Sequence, residues 1–418
     1  MCPFIISPPF DVARVLLFHQ IVGWTKELLD QGKAAADCTG RLAVPTELKV
    51  LGVLRVLGRA TCFDGITELS GIAESTMCTF FHRFTKWFRE DIYPCFVYAP
   101  KTLDDLAEVQ TPYALLGLPG CIGSMDVVHI AWCMCPSYLM NLAKGKEGIP
   151  TIAYNVICDH AGRALAVLAG AYGAFNDKTI VRNDDVVHAI RTDPFFTQMA
   201  YEVRTGGGND GGGVEMEKGA YLIIDGGYHK WSATQAAGKA NTDPTYAAWR
   251  KRMESVRKDI ECFFGRLKGR FRMLKTPVTF HHKHQIDNTF FTCVALQNII
   301  HDWDKELNLL TAWEVDADWE GAEGQFADEA GAAEESRLWC RPKLKRTKKR
   351  RSRFVPSATE DFSSCGVLSS PITKWDMASS LQRPPPSGEG ASYVAKQAKL
   401  VKHFAIARAS GDVAWLRS

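Results

Sequence analysis

No stretch of 18 or more apolar residues occurs in this 418-residue chain, so no helix is expected to cross a membrane. A basic, apolar and small-residue leader of the secretory kind is also missing from the N-terminus. The 13 cysteines are scattered without paired spacing, which argues for reduced thiols in the cytosol or nucleus. Paired Cys and His spacing of the zinc-finger type is absent too. Cys121, His129, Cys133 and Cys135, and separately His281, His282 and His284, therefore read as strand-packing thiols and loop histidines. The run Gly206 to Gly213 lacks the strand, helix and Lys-Ser/Thr context of a phosphate-cradling loop and reads as a flexible linker.

What is present is globular in composition. Apolar residues make up 46% and charged residues 23%, within a length that holds roughly two to three domains. A net charge of +3 conceals a segregated tail. Positions 316 to 335 carry Asp316, Asp318, Glu320, Glu323, Asp328, Glu329, Glu334 and Glu335 with no Lys or Arg, and a basic run from Arg341 to Arg353 follows. Such adjoining blocks are solvated rather than packed. Three regions result: a helical N-terminal region (1–110), a mixed α/β region (111–310), and an acidic, then basic, mostly disordered tail (311–418).

In the first region, Asp64 to Ser75 reads as a short helix and a Gly-containing turn. Ser75 is placed to cap a further helix with Met77, Phe81, Phe84 and Phe88 on one face. His82, Arg83 and Lys86 fall on the other side, which gives a helix-turn-helix outline within 47–90 and makes Arg83 and Lys86 candidate DNA contacts. The second region turns to strands. Ile152 to Cys158 and Ala164 to Ala169 flank the turn signal Asp159 to Arg163, and with the strand around Asp126 they predict three consecutive antiparallel strands. From Tyr246 to Asp302 the period is helical again, with Arg257, Glu261, Gly265 and Lys268 on one face and Ile260, Phe263, Phe264, Leu267 and Phe271 on the buried side.

Three acids stand out against these patterns. Asp126 lies inside the apolar run Cys121 to Ile130, Asp225 ends the run Tyr221-Leu-Ile-Ile-Asp225, and Glu261 lies on the helical segment. Ionised carboxylates are rarely placed in apolar strands unless paired or bound to a metal. Brought together, three of them form a hard-oxygen site suited to Mg2+ or Mn2+, and so to phosphoryl transfer.

The motifs around these acids resemble those of the PIF/Harbinger transposases, in the branch known as plant transposon proteins. Ser124, Asp126, His129, Trp132 and Cys135-Pro136 match the first catalytic block. Gly173 to Asn183 is similar to the Gly-Ser-Asn-Asp block, with Asp177 in place and Ala174 where Ser is usual. Asp225, Gly227 and Tyr228 match the second catalytic block, and Arg257 to Phe271 the third. Leu296 to Asp302 resembles the closing block, with Gln297 replacing His. More distant insertion-sequence transposases space a Tyr, Arg, Glu and Lys as Arg257, Glu261 and Lys268 are spaced here, although Glu254 occupies the Tyr position.

The resemblance, which covers about residues 45 to 303, implies an RNase H-like core with the first two acids on adjacent central strands and the third on a following helix. It implies Asp126, Asp225 and Glu261 as catalytic ligands of a two-metal site, Arg257 and Lys268 as DNA contacts, and His129 and Asp177 as supporting residues. Asp259 points away from Glu261 on the helix and is given no ligand role. The implied activity is cleavage and joining of DNA at transposon ends in the nucleus. Terminal inverted repeats and target DNA are the substrates, a Myb-like protein is the partner for end recognition, and a homo-oligomer is allowed. The alternative is a domesticated relative that binds DNA or protein without strand transfer. A nuclease acting on RNA or hybrids is a weaker third.

Nine of the thirteen residues from 341 to 353 are Lys or Arg, a composition that suits nuclear import. Deleting them should reduce nuclear accumulation of a fluorescent fusion, and unchanged accumulation would remove this assignment. A chain ending near Leu338 is also expected to fold, since the acids and the periodic segments lie upstream.

Overall fold

Strand β1 (Cys121–Ala131) is the centre of the molecule, because both of its edges are paired and helices lie over its faces. The computed structural model describes residues 12–30, 40, 42–205, 213–238, 243–306 and 389–410. All of these belong to one compact unit, formed by residues 1–310 together with 377–418. A second unit, 311–376, lies outside them, as do the glycine run from 206 to 212, the acidic block and the basic run.

The N-terminal region is helical, as its periodicity implies: α1 (Val12–Trp24), α2 (Thr46–Arg59), α3 (Phe63–Ser70) and α4 (Glu74–Trp87), with a short α5 (Tyr93–Phe96) and then α6 (Leu103–Leu115). Gly71 ends α3 in the left-handed region at φ 68°, where its missing Cβ removes the steric penalty, and the turn leads directly into α4. Ser75 does not cap α4. Ala73 is the N-cap and makes no side-chain bond, while Ser75 sits inside the first turn. Met77, Phe81, Phe84 and Phe88 are fully buried, and α4 packs against α2, α3 and α12 (Lys283–Glu306). The same apolar cluster continues to Ile152, Tyr154 and Phe290, so the N-terminal helices share one core with the sheet.

The three predicted antiparallel strands are present: β1, β2 (Thr151–Cys158) and β3 (Ala164–Val167), with the turn closed by the Asp159 N–H donating to the Arg163 carbonyl. A short α7 (Met140–Ala143) lies between β1 and β2, and β4 (Ala171–Tyr172) adds to β2. After α8 (Asp177–Arg182), α9 (Asp185–Thr192) and α10 (Pro194–Thr197) comes a separate two-stranded ribbon, β5 (Ala200–Arg204) with β6 (Val214–Lys218). Strand β7 (Tyr221–Ile224) then joins the other edge of β1 in parallel, and β8 (Thr234–Ala236) continues parallel to β7. The order β3-β2-β1-β7-β8, antiparallel on one side of β1 and parallel on the other, is that of an RNase H-like core.

All residues of β2 and β7 are buried, as strands covered on both faces must be. Tyr154 shows what one face buries. Its ring stacks on Phe290 of α12 at 3.9 Å, and its hydroxyl donates to Asp287 at 2.8 Å, which Lys283 neutralises. Further along the same face Tyr221 and Ile223 pack against Trp249, Met253 and Val256 of the long helix α11 (Pro244–Arg270), while the opposite face buries Ile122, Met125, Ile157, Leu222 and Ile224 with Leu106 of α6 and Val187 and Ile190 of α9. The closing motif of the sequence acts as a staple. Buried Asn298 bonds the Ala164 N–H and carbonyl at 2.9 and 2.7 Å and the Phe96 carbonyl at 2.8 Å, joining α12, β3 and the end of α5.

The tail holds a helix that its expected disorder did not include. Helix α13 (Glu389–Ala409) packs on α11, β5 and β8, burying Tyr393, Leu400, Phe404 and Ala407 at helical spacing. Gln397 donates to the Ala236 carbonyl at 2.9 Å, and Tyr393 accepts from the Ala236 N–H at 3.3 Å, so the helix closes the open edge of β8. Buried Lys396 donates to the Lys218 and Gly219 carbonyls, and burial lowers its pKa to about 8.

This packing changes the outlook for a chain ending near Leu338. Removing α13 should lower its unfolding midpoint and promote association through β8. Phe404→Ala in the full chain should cost roughly 3–5 kcal/mol, measured by urea titration. A variant within about 1 kcal/mol of the parent would show that α13 does not stabilise the core.

Candidate active site

The parallel register of β1 and β7 brings the first two acids together. Ser124 pairs with Ile223, and the same register continued by two residues sets Asp126 beside Asp225. Asp225 immediately follows β7 and is exposed, whereas Asp126 is half-buried. The register slips between Cys121 and Gly123, where β1 carries one residue more than β7 opposite. That irregularity reverses the alternation of side chains for the rest of the strand. It turns Ser124 towards α11, where its hydroxyl lies 3.4 Å from the Val256 carbonyl, and Asp126 follows on the same face. A Cβ at Gly123 would stand 2.9 Å from the Cys158 carbonyl, so this tight passage of the strand requires glycine.

Helix α11 supplies the third acid. Glu261 is exposed in the middle of the helix and pairs with Arg257 at 2.9 Å, while Arg257 also meets Glu254 at 3.3 Å. Burial works against the Arg257 charge, but Glu261, Glu254 and Asp225 outweigh it and hold its pKa above the usual arginine value. Glu254, at the position where distant relatives carry Tyr, thus acts on the same guanidinium. Arg257 also bears on Asp126, so all three acids share one cationic neighbour.

Asp126 is pushed towards its neutral form chiefly by burial, with Asp177 adding to the effect. Three groups oppose this: its own bond from the Val127 N–H, the Tyr228 hydroxyl donating at 3.1 Å, and Arg257. Tyr228 matches a motif block, but the sequence assigns it no role. Its tyrosine-after-glycines pattern following Asp225 is the available signal, and the cross-strand bond is visible only in the fold. Asp177 begins α8, lies 3.7 Å from Lys146 and acts on the Asp126 charge. His129 bonds Thr151 through Nδ1 at 2.9 Å, burial lowers its pKa, and Lys268 donates to its carbonyl at 3.4 Å. Asp259 points elsewhere, to His160 at 2.8 Å.

Arg83 and Lys86 are not part of this cluster. Arg83 turns onto the Leu29 carbonyl and Asp30, and Lys86 lies 3.9 Å from Glu90. His82, on the same side of α4, packs its ring against Phe280 at 4.8 Å. A cavity of about 170 Å³ lined by Tyr98, Asp159, Arg163, His301 and Asp302 includes none of the three acids. Asp225 and Glu261 are exposed, and Asp126 is half-buried.

The chemistry of the donor set suits a hard divalent cation: carboxylate oxygens from the middle of β1, from the residue just past β7 and from α11. Among the described residues, however, no three His, Cys, Asp or Glu side chains are gathered tightly enough to hold an ion. Glu261 is directed to Arg257, so its ligation requires that side chain to rotate away from the guanidinium.

The raised pKa of Asp126 has a measurable sign. A carboxyl raised in the folded state contributes stability that is complete below its unfolded pKa and is lost as pH rises through the folded pKa. Without divalent ions, Asp126→Asn should therefore raise the Tm at pH 7 and leave it little changed at pH 3. A lower Tm at pH 7 would mean that the carboxylate is a structural partner instead.

Residues 96–308 match the plant transposon protein family. Over 264 residues the chain is 25% identical to the Protein ALP1-like of Arabidopsis thaliana, an alignment covering 62% of this chain. It spans 61% of the length of that relative. No solved structure matches. The family match extends over half of the chain, from the end of the N-terminal helices through β1, the site acids and α12, and the chain belongs to the plant transposon protein family of PIF/Harbinger-type transposases.

Proposed function

We propose that this protein is a metal-dependent DDE nuclease of the transposase type, which cleaves DNA at transposon ends and joins them to a target. The observation that supports the reading is the parallel register of β1 and β7, which, continued by two residues, leads Asp126 and Asp225 to neighbouring positions, with Glu261 on the helix packed on these strands. Asp126, Asp225 and Glu261 would hold Mg2+ or Mn2+. A metal pair there supplies activation of a water or DNA 3′-hydroxyl and stabilisation of the leaving oxygen during in-line displacement.

The chain's own groups have distinct tasks in this scheme. Tyr228 orients Asp126 through its hydrogen bond, and Asp177 with Lys146 braces the α8 side. Arg257 and Lys268 lie on the acid-bearing face of α11 and meet phosphates near the scissile bond. As DNA approaches, its phosphates compete for Arg257 and release Glu261 towards the aspartates. End recognition falls to a Myb-like partner, and the reaction takes place in the nucleus on terminal inverted repeats and target DNA.

A second reading is a domesticated relative that binds DNA or a protein without strand transfer. The pairing of Glu261 with Arg257 favours it, because it holds the third acid away from a metal-binding arrangement.

The two readings separate in one experiment. Purified protein, with and without a Myb-like partner, is given repeat-bearing duplex DNA and Mg2+ or Mn2+. The nuclease reading expects nicking that each of Asp126→Asn, Asp225→Asn and Glu261→Gln reduces at least 100-fold, on the order of the loss of a main catalytic stabiliser. Parental activity in Asp225→Asn would remove the triad, and DNA binding without cleavage in the parent would favour the domesticated form.

A further inference from the structure

Beside the acids, on the side away from α11, three chain segments bring cations together around one tryptophan. Trp231 is buried in the loop between β7 and β8. The Arg191 guanidinium from α9 lies over its ring at 3.8 Å, and the His229 imidazole is stacked with it at 4.7 Å and 22°. Arg182, in the last turn of α8, donates from Nε to His229 Nε2 at 3.0 Å. Lys178, one turn earlier, and Lys230, next to the stack, are exposed. Planar stacking on aromatic rings presets arginine geometry and leaves guanidinium N–H groups to face a ligand.

Three of these cations have no acidic partner to balance them: among the described residues, Lys178, Arg182 and Lys230 have no ion-pair partner, unlike Lys146 with Asp177 or Arg257 with Glu261. Burial depresses the His229 pKa first, and Arg182, Lys178 and Arg191 depress it further, which marks a positive local field. The strip starts next to Asp177 and Asp225: Lys178 follows Asp177 directly, and Lys230 is on the loop that Asp225 begins.

We propose that Lys178, Arg182, Arg191 and Lys230 form a phosphate-binding strip that holds duplex DNA alongside the acids. The inference rests on the proposed action on DNA and adds a contact surface opposite Arg257 and Lys268. A DNA backbone suits it because its charges are spread along a line, as the cations are across α8, α9 and the loop. The nearby carboxylates disfavour a compact anion seated among them.

The test measures binding rather than cleavage. Fluorescence anisotropy follows a labelled duplex of random sequence titrated with full-length protein in EDTA, across a salt series. The variant is Lys178→Ala, Arg182→Gln and Lys230→Ala together. It should bind at least 10-fold more weakly, and its log–log salt slope should fall by about 2 to 3, at roughly 0.9 for each phosphate no longer neutralised. Lys178→Arg with Lys230→Arg should bind as the parent does. If the triple variant unfolds, Lys178→Ala with Lys230→Ala, both at exposed positions without internal partners, carries the same test with a slope change of about 2. Parent-like affinity and slope in a variant, while the parent binds DNA, overturns the strip alone. Failure of the parent to bind any duplex overturns the strip and the DNA reading together. Loss of binding to polyglutamate with unchanged DNA binding overturns the strip as a DNA site in favour of an acidic protein partner.

Discussion

The pairing of β1 with β7 is the constraint on which the arrangement of this protein depends. Two parallel strands need a long crossover, here the stretch from β2 to β6, before their backbones can meet. Once they do, the slip between Cys121 and Gly123 decides which way every later side chain of β1 points. One residue more or fewer would turn Asp126 away from α11 and send an apolar neighbour into its place. The tight passage of Gly123 beside Cys158 and Leu222 holds that register, so a glycine with no chemistry of its own determines where the chemistry lies.

Electrostatics then oppose stability locally. Asp177 acts on Asp126 where burial already disfavours the Asp126 charge. Arg257 offsets this by serving Glu254, Glu261 and Asp225 at once, and Tyr228 supplies a hydrogen bond from beneath. The Asp126 charge thus retains a local cost that its neighbours only partly offset. Arg257 is at once the present partner of Glu261 and the competitor of any cation that Glu261 would ligate.

The surroundings extend this logic outward. Helix α12 ties the N-terminal helices to the sheet through Phe290, Thr292 and Asn298, and α13 closes the β8 edge with side-chain bonds to Ala236. The acids therefore lie on a framework closed on both sides, and Asp225 and Glu261 remain exposed on it, with Arg257 and Lys268 to one side and the Trp231 stack to the other.

Periodicity alone determined much of this protein. The helices around Phe81 and Phe263, the hairpin at Asp159, and the positions of Asp126 on a strand and Glu261 on a helix follow from the spacing of apolar residues, since a period of 2 or 3.6 records which side a segment buries. The ordered motif blocks carried the family. Other features depended on contacts between residues far apart in sequence. Ser75 looked like a cap because cap chemistry is local, yet the turn at Gly71 placed the helix start at Ala73. The helix of α13 was obscured by the Ser-, Pro- and Gly-rich stretch that runs into it, although Tyr393, Leu400 and Phe404 have helical spacing. The bond from Tyr228 to Asp126, the Arg257 charge network and the stacking of Arg191 and His229 on Trp231 were set only when strands and helices packed, because a register, a rotamer and a shared electrostatic field are properties of the folded surface and leave no period in the chain.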